Sequence, residues 1–333
     1  MVCKIGIEKV YISSRPSLHW WCPVEKVAYE SLASVDSVVS PNIVAVSKPP
    51  WSSKPHSGRL ERLILQLGAG KGRFSETTGI PRSIGCIGNN RFVLRREPMS
   101  VERVKELIRE FKKAGGEELW LTNYDSVEYL LSIAAYAAEI EVPEVYAVVL
   151  LDDLDKIGPI EGVRFIAELE YSEENVRRLE AQGWLHGALI TVSGSDLDEL
   201  RGLKTTFPGE IYADVLYPGS ARKLDFNVIE ARRIFNPTTE KYHDCLAGTI
   251  AITADGYALP CPLMRTVIVA DAKSTGIKGI LRKKRLKDFW KLTKDRIEAC
   301  STCPFRYICH DCRALEFQAT GEIDGLEYCP IGL

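Results

Sequence analysis

The chain lacks long apolar runs, and no stretch approaches the roughly 20 residues a helix needs to cross a bilayer. Its amino terminus, MVCKIGIEKVYISS, has no basic segment followed by an apolar core, so no export signal is read there and a cytoplasmic location is expected. A surplus of either charge is also missing. Lys plus Arg number 43 against 45 Asp plus Glu, a formal charge of −2, which gives no global attraction to nucleic acid or to an anionic membrane surface. Neither is expected as a partner. What the chain does have is length and apolar content: 333 residues at 45% hydrophobic are enough for one large α/β domain and a small one.

Three zones follow along the chain. Residues 1–80 read as an N-terminal extension or small domain, broken by Pro41, Pro49, Pro50 and Pro55. Residues 81–238 alternate short β-rich runs with charged, helically periodic runs, the pattern of a parallel sheet built from βα units. Strands are predicted at Ser83–Ile87, Leu119–Asn123, Val145–Leu151, Val163–Leu169, Ala188–Ser193 and Ile211–Leu216. Helices are predicted at Val101–Lys113, with Ser100 as N-cap, and at Ser126–Glu139, Ser172–Gln182, Ser195–Leu200 and Asn227–Arg233. Six strands with helices between them suggest an α/β fold, a partial (β/α)6 barrel or an open doubly wound sheet, with ligands beyond the carboxyl ends of the strands. Residues 239–333 form the third zone.

That zone carries seven cysteines: Cys245, Cys261, the group Cys300, Cys303, Cys309 and Cys312, and Cys329. Thiolates grouped this tightly in a chain without an export signal point to iron–sulfur clusters, zinc or copper(I) rather than hard cations. A zinc-binding structural protein would use four thiolates as two knuckles and leave Cys245, Cys261 and Cys329 without a purpose. Disulfides are disfavoured in a reducing cytosol, except in heat-adapted proteins, and the Lys/Glu-rich helices here have a thermophile's composition.

The segments CLAGTIAITADGYALPC, CSTCPFRYICHDCRA and YCP, with Gly256 preceding Cys261, resemble the SPASM domain, the auxiliary-cluster module of many radical SAM peptide-modifying enzymes. The resemblance covers Cys245 to Pro330. It implies that Cys300, Cys303, Cys309 and Cys329 hold one [4Fe-4S] cluster and that Cys245, Cys261 and Cys312 hold another, for one or two clusters in all. The second set lacks the family's fourth cysteine. Only Thr239, Tyr242, His243 and Asp244 lie in that stretch, so His243 or Asp244 fills the position, or it stays open to a small ligand. The spacing Cys309-His310-Asp311-Cys312 is one residue shorter than the family's.

A partial barrel followed by such a domain is the order of radical SAM enzymes, but the motifs of that chemistry are missing. Where the family has C-x3-C-x2-C after its first strand, this chain has only Cys86, and where the family has Gly-Gly-Glu after the second, it has Thr122-Asn123-Tyr124-Asp125. Gly115-Gly116-Glu117 precedes the strand and reads as a helix stop. The resemblance thus implies a degenerate, pseudo-radical-SAM barrel without S-adenosylmethionine cleavage, acting in electron transfer or in binding a peptide substrate or a redox or maturation enzyme. The alternative is an active maturase whose nonstandard cluster uses Cys86 with Cys3 and Cys22.

The remaining features have plainer readings. The basic run from Lys273 to Arg296 reads as a solvated helix face with Leu281, Leu286, Phe289, Trp290 and Leu292 buried. Leu67 to Arg73 is glycine-rich but lacks a complete phosphate-binding motif, and reads as a turn. Asp152, Asp153, Glu168 and Glu170 are weak candidates for substrate contacts at the barrel mouth. His19-Trp20-Trp21-Cys22 reads as an aromatic anchor for the extension.

Overall fold

In the computed structural model, which describes residues 43–44, 49–72, 76, 79–122, 125–217, 237–309 and 312–329, the βα alternation builds one ten-stranded sheet. The strands are β1 (Ile43–Val44), β2 (Arg62–Gln66), β3 (Glu118–Thr122), β4 (Glu144–Leu150), β5 (Val163–Glu170), β6 (Gly187–Ser193), β7 (Glu210–Leu216), β8 (Thr249–Ile252), β9 (Tyr257–Leu259) and β10 (Ala270–Asp271). They lie in the order β1-β7-β6-β5-β4-β3-β2-β8-β9-β10, and the sheet is not closed. From β2 to β7 each strand pairs in parallel with the next.

Spatial order therefore follows chain order through six strands, as in a barrel, without the reversal that marks a doubly wound sheet. The helices agree. Buried residues of α1 (Val101–Lys113), α2 (Val127–Glu139), α3 (Glu173–Glu180) and α4 (Leu197–Arg201) join Leu63, Leu65, Leu119, Leu121, Val145 and Ala147 in one apolar cluster on one face. Alternate strand residues, Ile64, Trp120, Tyr146, Ile166, Leu189 and Tyr212, point to the opposite face.

Ser100, Ser126 and Ser172 cap α1, α2 and α3, each accepting a hydrogen bond from the backbone N–H three residues on. Gly115 closes α1 with φ of +80°, and an added Cβ on Gly116 would strike the Phe111 ring, so the Gly-Gly pair is a helix stop.

Two corrections concern the first strand. Ser83–Ile87 is a run of turns joined to the sheet by a single antiparallel bridge, Arg82 with Leu216. The sixth parallel strand is instead β2, within the stretch read as an N-terminal extension, where it pairs with β3 on one side and β8 on the other. The cysteine-rich zone continues the same sheet through β8, β9 and β10. All described residues belong to one unit, Val39–Leu333. The predicted helix Asn227–Arg233 lies outside the described residues.

Candidate metal centre

On the helix-free face the sheet is covered by its own chain. The long segment between β2 and α1 crosses it and inserts Arg82, whose side chain is fully buried. Arg82 Nε donates to Asp214 Oδ2 of β7 at 2.5 Å and Nη1 to Glu168 Oε1 of β5 at 3.1 Å, with Asn90 and Thr191 beside them. Burial alone would lower the guanidinium pKa, but the charges of Asp214 and Glu168 raise it. Glu168 also accepts from the Asn89 amide, and Asp214 from Ser83 Oγ and the Ile84 amide. Glu168, a candidate for substrate contact, is thus committed to an internal ion pair. Ile84 and Ile87 continue the cover over Trp120, Tyr146 and Tyr212.

At the other end of this face Trp51 meets Trp120 edge-on, and Trp120 stacks on Tyr146 at 4.1 Å. Trp51 also packs under Arg62 and donates its indole N–H to the carbonyl of Cys245. Arg62 pairs with Glu118 at 2.8 Å, and Lys54 with the same carboxylate at 2.6 Å. Burial would raise the Glu118 pKa, but these two cations hold it down to about 2.

The glycine-rich segment after β2 is satisfied internally. The Ala69 and Gly70 amides donate to Asp125 at 3.0 and 3.1 Å, and the Lys71 amide donates to Asn89. A carboxylate of the chain occupies the amides that a phosphate would need. Asp125 therefore staples two loops together.

The following segment is anchored to the cysteine-rich zone. Arg96 forms a two-pronged ion pair with Asp271 of β10 at 2.7 Å and lies over Tyr257 of β9, while the Arg95 amide donates to Asp255. Gly256 turns the chain between β8 and β9 with φ of +86°, which explains the glycine ahead of Cys261.

Cys245, Cys261 and Cys312, predicted to share a cluster, share one small apolar cluster of side chains around Leu263 and Met264. Burial raises the Cys261 thiol well above its ordinary range; the charges of Cys312 and Cys245 raise it further, while backbone amides of Leu263 and Met264 oppose this. Cys86 belongs to the same neighbourhood. Burial raises its thiol too, followed by Cys261, Cys245 and Cys312 in that order. Nothing local in the sequence marks this association. Among the described residues no three His, Cys, Asp or Glu side chains converge closely enough to hold a single ion. His243 Nδ1 lies 3.6 Å from Cys245 Sγ but accepts from the Cys245 and Leu246 amides, so that nitrogen serves the backbone turn. The Asp244 carbonyl accepts from His56 Nε2 at 2.6 Å in one ring assignment.

Cys300, Cys303 and Cys309 lie on successive turns around α7 (Glu298–Ser301): the Cys303 amide donates to the Cys300 carbonyl and the Cys309 amide to that of Phe305. Cys309 lines a small cavity with His243, Asp244, Lys294 and Arg306. The chain leading to Cys329 is held by a buried clamp on α8 (Arg313–Thr320). Arg313 donates to the Ile323 and Gly325 carbonyls at 3.0 and 2.9 Å, and Glu316 accepts from the Tyr328 amide at 2.9 Å. This clamp gives the Cys-Arg-Ala sequence its purpose. His310 and Asp311 lie outside the described residues, as do Cys3, Cys22 and the His-Trp-Trp-Cys segment.

The other carboxylate candidates lie at the carboxyl ends of the strands. Asp152 pairs with Arg178 and Asp153 with Lys156. With Lys71, Glu168 and Glu170, Asp152 and Arg178 border a cleft of about 410 Å³ at the carboxyl ends of β4 to β6. The basic run exposes Lys278, Arg282, Lys283, Lys284, Arg285, Lys287 and Lys291 along α5 (Ile277–Leu281) and α6 (Lys284–Trp290), while Leu286 and Trp290 are buried. No described helix is long and apolar enough to cross a membrane.

Residues 245–304 match the family model of SPASM, an iron–sulfur cluster-binding domain. The match includes Cys245, Cys261, Cys300 and Cys303 and stops short of Cys309, Cys312 and Cys329. Among solved structures the chain is similar to one described as native anSMEcpe with bound AdoMet, at 11% identity and a TM-score of 0.46, covering 80% of this chain and 93% of that one. No curated protein matches the chain in sequence.

Proposed function

We propose that this chain is an iron–sulfur protein that serves in electron transfer, or in binding a peptide or partner enzyme, on a barrel-like sheet that does not cleave S-adenosylmethionine. The observation that carries the second half is Arg82. It fills the helix-free face between Asp214 and Glu168, where an open radical-generating site would need room for cluster and substrate. The first half is supported by the SPASM match and by the soft, multi-thiol donor set of Cys245, Cys261 and Cys312.

Thiolate-held clusters supply one-electron transfer with little rearrangement. The chain's own part is to hold the sulfurs, exclude water around them with Phe92, Leu246, Leu263 and Met264, and aim backbone amides at Cys261. Hydrogen bonds to ligand sulfur and burial both tune a cluster's potential. The group Cys300, Cys303, Cys309 and Cys329 is the proposed holder of the other cluster, with the Arg313–Glu316 clamp positioning Cys329.

Anaerobic loading with iron and sulfide, followed by reduction in the presence of S-adenosylmethionine, tests this reading. Brown protein containing acid-labile sulfide, with no 5′-deoxyadenosine by mass spectrometry, is the expected result. Formation of 5′-deoxyadenosine would replace it with the maturase reading, and zinc without sulfide with the structural one.

A further inference from the structure

We propose that Cys86 completes a four-thiolate set with Cys245, Cys261 and Cys312, so that one iron–sulfur cluster is held jointly by the segment crossing the sheet and by the cysteine-rich zone. The inference rests on the iron–sulfur reading above and assigns the ligand that this zone does not supply by itself.

The crossing segment is fixed on both sides of Cys86. Before it, Arg82 and Ser83 are bound to Asp214, and the Ile84 amide donates to the same carboxylate. After it, the Asn89 amide is held by Glu168, the Arg95 amide by Asp255 in the β8–β9 turn, and Arg96 by Asp271 of β10. Between these anchors the backbone runs directly against the Cys261 loop: a Cβ built on Gly85 would lie 3.1 Å from Leu263 Cδ1. Cys86 is partly buried and packs against the apolar cluster that includes Leu259 and Ala251, residues of the two strands that connect Cys245 to Cys261. Cys245, Cys261 and Cys312 belong to one apolar cluster with that same Leu263.

The electrostatics agree with the packing. After burial, the charges of Cys261, Cys245 and Cys312 raise the Cys86 thiol. Four soft donors from three chain segments suit a multi-iron cage, which spreads its thiolates wider than the about 3.8 Å between sulfurs that tetrahedral zinc imposes. With Cys86 present, neither His243 nor Asp244 has to serve as a ligand.

Full thiolate coordination also selects between roles. A cluster with four protein sulfurs has no vacant iron for a substrate, which favours electron transfer over direct binding.

The test uses the full chain, purified and loaded without oxygen, as wild type, Cys86→Ala, Cys300→Ala and the double variant. Iron and acid-labile sulfide are counted, and EPR spectra are recorded after reduction. Cys86→Ala is expected to lose up to about half of the iron, or to convert one EPR signal to another type, while sparing the signal that Cys300→Ala removes. Wild-type iron content and spectra in Cys86→Ala would overturn the assignment and leave the iron–sulfur reading standing. Wild-type protein without sulfide would overturn that reading itself.

A second measurement needs no substitution. Iodoacetamide labelling mapped by mass spectrometry is run on loaded wild type and on the same protein stripped of iron. Cys86, Cys245, Cys261 and Cys312 are expected to gain reactivity together on stripping, by roughly tenfold or more. An unchanged Cys86 rate alongside exposed Cys245 and Cys261 would refute the shared site.

Discussion

Replacing Arg82 with methionine removes a buried cation and leaves its two carboxylates facing each other across the sheet. Side-chain exposure is 0% for Arg82, 0% for Asp214 and 8% for Glu168, so solvent offers little screening. Deleting one partner of such a group costs about 3–5 kcal/mol, because the remaining charge stays buried and uncompensated. For a unit of this size, at about 2 °C per kcal/mol, melting should fall by roughly 6–10 °C. The assay is thermal and urea unfolding of iron-loaded protein, followed by circular dichroism. Adding Asp214→Asn and Glu168→Gln to Arg82→Met should recover most of the loss, since a neutral hydrogen-bonded group is often no worse than a buried ion pair. A shift of Arg82→Met within about 0.5 kcal/mol of wild type, the range of ordinary surface substitutions, would refute the view that this residue plugs the sheet.

Glu118→Gln should cost about 3 kcal/mol at neutral pH by leaving Arg62 buried without its carboxylate. The folded pKa of Glu118 is depressed, so its stabilisation is complete above the unfolded value of about 4.3 and is lost as pH falls toward about 2. The gap between wild type and Glu118→Gln in urea midpoint should therefore narrow across that window, and a constant gap would count against the ion pair. Asp125→Ala frees the Ala69 and Gly70 amides; hydrogen exchange at these two positions should quicken by roughly tenfold, with no change at the distant Met99 amide. Arg313→Met removes the donor to two carbonyls at about 1–3 kcal/mol. If Cys300 and Cys329 hold a cluster as proposed, iron counting should then show its depletion, while the signal sensitive to Cys245→Ala persists.

The parallel strands from β3 to β7 were legible because most of them are flanked by helices whose apolar residues recur on one face, and Ser100, Ser126 and Ser172 marked the starts of α1, α2 and α3. Strand β2 was not legible, since Arg62-Leu63-Ile64-Leu65-Gln66 follows a proline-rich stretch and carries buried polar groups at both ends, Arg62 paired with Glu118 and Gln66 at the sheet's edge of carboxyl ends. Ser83-Ile84-Gly85-Cys86-Ile87 has a strand's apolarity, yet its burial comes from lying across the sheet rather than within it. Periodicity cannot separate these two ways of becoming dry. In the cysteine-rich zone the motif carried the thiols by itself. The proximity of Cys86 to Cys261 bridges a long sequence separation and depends on ion pairs at Arg82 and Arg96 that no local pattern announces.

The hydrogen bond from the Trp51 indole to the Cys245 carbonyl gives the protein a built-in optical gauge. Trp51 is 1% exposed and in contact with Trp120, so both rings emit from a dry setting within a few bonds of the Cys245 thiol. An absorbing iron chromophore seated beside Cys245 would drain their excited states. Ultraviolet emission during stepwise iron addition would thus report whether and when the proposed site beside Cys245 fills.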